Sequence, residues 1–184
     1  MTNVGIIVGS LREGSFTKKI AQSVASFLPS DYNVSIIDIN LDLYNEDLDQ
    51  PGKVPASWEN FRAQMNDVDA VIFATPPEYN RSIPGGLKNA IDVGSRPMGS
   101  SVWDMKPALV LSVSPGAIGG FGANMALRQS LVFLNMPVVQ QPEAYIGGVT
   151  NILDADGEVT EQRELSYFKS IADAFVDLIN KNNK

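Results

Sequence analysis

Ala70-Val-Ile-Phe-Ala74 is an uninterrupted apolar run, and Thr75-Pro-Pro-Glu-Tyr-Asn-Arg-Ser-Ile-Pro-Gly-Gly-Leu-Lys-Asn-Ala-Ile-Asp92 follows it directly. An apolar run without alternation marks a strand buried on both faces of a parallel sheet. Beyond it, Ile83, Leu87, Ala90 and Ile91 fall at helical spacing, and Pro84 stands where a first-turn proline would. The stretch therefore reads as buried strand, proline-held turn, helix. In an open α/β sheet, ligands bind outside the carboxyl ends of such strands.

The same alternation extends in both directions. Val4–Val8 reads as a first strand, followed by a polar loop from Gly9 to Ser15 and a helix to about Leu28, with Phe16, Ile20 and Val24 on one face. Val34–Ile37 is a second strand. Trp58, Phe61 and Met65 mark the next helix. After the opening stretch come a strand over Ala108–Val113 and a helix carrying Ala123, Leu127, Leu131 and Leu134. A fifth strand starts at Pro137–Val139 and resumes near Tyr145-Ile146, and a closing helix carries Leu165, Phe168, Ala172, Phe175 and Ile179. Five strands alternating with five helices predict a three-layer, doubly wound parallel α/β sheet. Of the common orders for five strands, 2-1-3-4-5 is expected. We expect one domain over residues 1–184.

Composition narrows the chemistry. The chain has no cysteine and no histidine, which excludes thiolate catalysis, a Ser/His/Asp triad and histidine-ligated metals. A net charge of −7 argues against a nucleic-acid partner, and no metal site is expected. The acids between Asp38 and Asp49 lack calcium-loop spacing and read as a solvated loop. No run is long and apolar enough for a membrane span, and no leader is evident, so a cytoplasmic protein is expected. If this is an enzyme, carboxylates or a cofactor must carry the reactivity.

Three loops would open at the same end of such a sheet. The first places Ser10, Arg12, Ser15 and Thr17 at a helix start, where free N–H groups, hydroxyls and a guanidinium suit a phosphate. Ser15 also reads simply as an N-cap. Neither the P-loop nor the G-x-G-x-x-G spacing is present, so a monophosphate fits better than a pyrophosphate. The second loop, Pro77 to Ser82, offers backbone amides that could address the edge of a planar heterocycle. The third, Ser114 to Gly122, is glycine-rich and could approach a flat ring closely.

The motifs Gly9-Ser-Leu-Arg-x-Gly-Ser-Phe16, Pro77-Glu-Tyr-Asn80, Ile83-Pro-Gly-Gly-Leu-Lys-Asn-Ala-Ile-Asp92, Gly119-Gly120 and Leu127-Arg-Gln129 resemble the NADPH-dependent FMN reductases, flavodoxin-like quinone, azo-dye and chromate reductases. The resemblance covers roughly residues 4 to 150. It implies FMN, with its phosphate on Ser10, Leu11, Arg12, Ser15, Phe16 and Thr17. The ring edge would meet Pro77, Glu78, Tyr79, Asn80 and Arg81, with Ser114 and Gly116 on the third loop. It further implies NADPH or NADH as hydride donor, quinones, azo dyes or similar small acceptors taken in ping-pong fashion, and a homodimer or homotetramer. Such a flavin would explain the missing histidine, because the cofactor itself carries the hydride. A flavodoxin-like electron carrier that binds FMN without oxidising NAD(P)H is the alternative. The sequence departs from the family pattern in the Pro76-Pro77 pair, in Arg81 and in Val93.

Overall fold

A computed structural model describes residues 1–76 and 80–182. Five strands, β1 (Thr2–Val8), β2 (Tyr32–Ile37), β3 (Ala70–Thr75), β4 (Ala108–Val113) and β5 (Ala144–Ile146), pair in parallel in the order β2-β1-β3-β4-β5. The helices are α1 (Phe16–Ala25), α2 (Ala56–Asn66), α3 (Gly85–Gly94), α4 (Phe121–Phe133), α5 (Val149–Ile152) and α6 (Gln162–Asn182). Fold class and strand order are those expected.

Strand alternation divides the core in two. Val4, Ile6 and Val8 of β1, Ala70, Ile72 and Ala74 of β3, and Leu109, Leu111 and Val113 of β4 pack under α1 and α6. Ile7, Val71, Phe73 and Val110 face the other way, against α2, α3 and α4. Successive side chains point to opposite faces, and helices cover both, so β3 and β4 can be apolar at nearly every position. That is why their sequences read as unbroken runs rather than alternating ones.

The differences from expectation have local causes. Helix α1 ends at Ala25, and the chain to Leu28 continues as tighter turns, with Phe27 N–H donating to Val24 O and Leu28 N–H to Ala25 O. Leu28 precedes Pro29, a position that disfavours helical backbone. Helix α3 begins at Gly85; Pro84 is its N-cap, extended at φ −58° and ψ 145°, so Ile83 lies outside the helix. Strand β2 begins at Tyr32, two residues early. Val138 makes only an isolated bridge to Ala108, and β5 itself is Ala144–Ile146. Between them stands Pro142, which has no N–H to pair. The short helix α5 after β5 had no sequence signal.

The acidic segment after β2 is pinned rather than merely solvated. Arg62 of α2 donates two hydrogen bonds to Asp49, at 2.9 and 2.8 Å, and a third from Nε to Val93 O of α3. Tyr44 stacks on Trp58 with ring centroids 5.1 Å apart and donates its hydroxyl to Asp49. Asn89 of α3 accepts from Tyr44 N–H and donates to Leu41 and Asp42 carbonyls. The Asp49 side chain is 5% exposed, and the Arg62 hydrogen bonds hold its carboxyl below the usual carboxylate range. A depressed folded-state pKa adds stability above the unfolded value and loses it as pH falls through the folded one. Asp49→Asn should therefore cost on the order of 1–3 kcal/mol at neutral pH. In urea melts the gap between the two proteins should hold above about pH 5 and close below about pH 4.

Candidate active site

Strands β1, β3 and β4 end side by side, and their following loops enclose a cavity of about 480 Å³, within the roughly 300–1,000 Å³ usual for small-molecule sites. Its two ends differ chemically. One is formed by Ser10, Arg12, Ser15 and Thr17; the other has walls of Pro76, Pro84, Val113 and Pro115.

The polar end is the N-terminus of α1. Ser15 caps the helix, its Oγ accepting from Lys18 N–H at 3.2 Å. None of the N–H groups from Ser10 to Thr17 has a hydrogen-bond acceptor among the described residues. Thr17 is 3% exposed and lines the cavity, and its hydroxyl likewise has no partner among them. Unpaired donors, a helix dipole and the Arg12 guanidinium are the chemistry that suits an anion. Gly9 sits so close to the turn after β3 that a Cβ there would meet Pro76 Cδ at 3.1 Å and Leu87 Cδ2 at 3.2 Å.

The apolar end has its own logic. Gly85 and Gly86, at the start of α3, present bare backbone to the cavity, and no side chain caps that helix. Its first-turn N–H groups therefore have no partner within the helix. Prolines on two loops make flat, rigid walls without donors. A planar ring with polar atoms at its edge and a phosphate at its far end matches this layout. FMN is such a molecule.

The expected site residues separate into groups. Ser10, Leu11, Arg12, Ser15, Phe16 and Thr17 all line the cavity. Pro77, Glu78 and Tyr79 lie outside the described residues. Asn80 and Arg81 are exposed and do not line it, although Arg81 has φ 61°, a left-handed backbone unusual for arginine. The Arg81 carbonyl oxygen lies 2.7 Å from where a Cβ on Gly122 would stand, so the second loop rests on the start of α4. At the third loop the lining residues are Pro115 and, at the end of β4 just before it, Val113. Ser114 instead accepts the Gly116 N–H on its own hydroxyl, and Gly116 O accepts from Gly119 and Gly148 N–H. Sequence reasoning passed over Val113, Pro115, Pro76 and the Gly85-Gly86 pair, because wall residues of a cavity carry no periodic signal. No group of potential metal ligands occurs among the described residues.

A doubly wound parallel sheet in the order 2-1-3-4-5, with a cavity at its carboxyl edge, is a flavodoxin-like fold. A family profile described as NADPH-dependent FMN reductase matches residues 2–151. A quinone reductase of Pseudomonas putida is 49% identical over 98% of this chain and 96% of its own length. A 2-hydroxy-1,4-benzoquinone reductase of a Burkholderia species is 39% identical over 94% and 93%. Among solved structures, the flavoenzyme NAD(P)H:(acceptor) oxidoreductase FerB of Paracoccus denitrificans superposes with a TM-score of 0.90 at 36% identity, covering 99% of both chains. The chain belongs to the NADPH-dependent FMN reductase family, an oxidoreductase family, as the sequence led us to expect.

Ser15 allows capping and anion binding to be measured apart. Ser15→Ala should lower stability by about 1 kcal/mol in urea melts. Millimolar inorganic phosphate should raise the thermal midpoint of the natural protein, and Ser15→Asp, which restores the cap but places a carboxylate at that end, should abolish the rise.

Proposed function

We propose that the chain is an FMN-dependent NAD(P)H oxidoreductase that reduces quinones or similar small acceptors, with FMN held in the cavity described above. The observation that carries this reading is a single cavity lined both by the polar N-terminus of α1 and by prolines of the loops after β3 and β4. Ser10, Arg12, Ser15, Thr17 and the free N–H groups around them take the phosphate. Pro76, Pro84, Val113 and Pro115 bound the ring, and Gly85 and Gly86 offer it the open backbone at the start of α3. The names of the relatives, a quinone reductase and a benzoquinone reductase among them, support quinones as acceptors.

Bound FMN supplies the hydride chemistry. The protein's part is to orient the ring, shield one of its faces and leave the other open to donor and acceptor in turn. Such use of one face predicts ping-pong kinetics. With neither cysteine nor histidine in the chain, no side chain of those types competes for that role.

A homo-oligomer accompanies this reading. Helix α4 turns Phe121, Met125, Val132 and Phe133 outward, the last 84% exposed, with Ile118 just ahead of it. An apolar stripe of that extent on one helix suits burial against a second copy. No described helix is long and apolar enough to cross a membrane, and a chain without cysteine suits the reducing cytoplasm.

Purified protein should be yellow and should oxidise NAD(P)H when a quinone is added. Arg12→Ala should raise the Kd for FMN by about 5- to 100-fold, the loss of one charge-assisted contact. Protein that takes up no FMN would refute the proposal. Protein that binds FMN but oxidises neither NADH nor NADPH would be an electron carrier instead.

A further inference from the structure

The polar residues inside the β4–α4 layer form a hydrogen-bonded chain away from the cavity lining. Ser112 interrupts the otherwise apolar strand Ala108–Val113, and Asn124 faces the sheet from the first turn of α4; both are 0% exposed. Burying such groups costs free energy unless each is hydrogen-bonded. Here each is. Arg128 donates from Nε to Asn124 Oδ1 at 2.9 Å and from a terminal nitrogen to Val139 O at 2.9 Å. Asn124 Nδ2 donates to Ser112 Oγ at 3.2 Å and to Ala144 O at 3.4 Å. Ser112 donates its hydroxyl proton to Gly119 O at 2.6 Å.

The donors run in one direction. Arginine can only donate, so the amide oxygen of Asn124 must face it and the amide nitrogen must face Ser112. That leaves the single serine proton to Gly119 O at 2.6 Å in preference to Ala144 O at 3.4 Å. A charged donor at one end and successive polarised bonds make the last link stronger than an isolated one.

The last link falls on the backbone turn that closes the third loop. Gly119 and Gly120 are both left-handed, at φ 64° and 74°, and a Cβ on Gly119 would stand 2.6 Å from Tyr145 C. At the loop's other end, Ser114 N–H donates to Ile146 O. Between these two anchors lies Pro115, one of the cavity walls. Two apolar side chains in place of Ser112 and Asn124 would pack as well and would leave Gly119 O unheld.

We propose that Arg128, Asn124 and Ser112 are positioning residues that fix the third loop in the conformation that receives the FMN ring. This rests on the FMN reading above. It also gives Arg128, part of the Leu127-Arg-Gln129 motif, a task inside the fold and away from the cavity.

The experiment is FMN titration, followed by fluorescence, of the natural protein and of Ser112→Ala, Asn124→Leu and Ser112→Thr, with far-UV circular dichroism to establish folding. Ser112→Ala and Asn124→Leu should keep native ellipticity yet raise the Kd for FMN by about tenfold or more. They should also shift the midpoint potential and the visible band shape of the FMN that still binds. Ser112→Thr, which keeps the hydroxyl, should return the Kd to within about threefold of the natural value. Should Asn124→Leu fail to fold, Arg128→Gln, which weakens the head of the chain only, should still raise the Kd. Natural affinity, potential and spectrum in folded Ser112→Ala would overturn the proposal, whatever its thermal stability. Failure of the natural protein to bind FMN would instead refute the functional reading, so the two failures are distinct.

Discussion

Strand β3 pairs in parallel with β1 on one side and β4 on the other, with Ala74 opposite both Val8 and Leu111. Parallel pairing at matched register means that three strands reach their carboxyl ends at one level. The three following loops must then leave the sheet at the same edge. Everything at the cavity depends on this: the phosphate-type end comes from the loop after β1, the proline walls from those after β3 and β4. Shifting β3 by one residue would exchange its two packing faces and set Phe73, wedged 5.6 Å from the Trp103 ring, against α1 and α6 instead.

Polar groups away from the cavity are spent on holding loops in place. Arg62 and Asp49 tie the long segment after β2 to α2 and α3, and Asn89 repeats the tie from α3. The Arg128–Asn124–Ser112 chain ties the loop after β4 to α4. No fully buried side-chain nitrogen or oxygen among the described residues lacks a partner. Against that background the open N–H groups from Ser10 to Thr17 stand out, because they are donors in want of an acceptor. Satisfied networks give rigidity, and unsatisfied donors facing a cavity give affinity for something that is not protein.

Part of the cavity lining was legible before any geometry. Ser10, Arg12, Ser15 and Thr17, which line it, stood out in the sequence because helix capping and anion binding draw on the same short stretch and the same residue types. The absence of histidine and cysteine pointed to a cofactor from composition alone. The roles within the third loop were less legible. Ser114 and Gly116 were expected at the ring, whereas their hydrogen bonds close the loop on itself while Val113 and Pro115 line the cavity. Which residue of a loop faces inward depends on its turn geometry, here a pair of left-handed glycines.

Local pattern alone determined the class of fold, the five strands and the place of the ligand edge, since each follows from periodicity of 2 or 3.6 and from the both-sided burial of β3 and β4. Only the tertiary structure decided what long-range pairing controls. It reduced Val138 to an isolated bridge and left only the expected second part, Ala144–Ile146, as β5, joined Asp49 to Arg62 across thirteen residues, and carried Arg128's hydrogen bonds to Gly119 through two side chains on different elements. Those contacts bring together residues far apart in the chain, and no local propensity encodes them. They exist because the sheet brings them within hydrogen-bond reach, where leaving a buried polar group unpaired would cost about 1–3 kcal/mol.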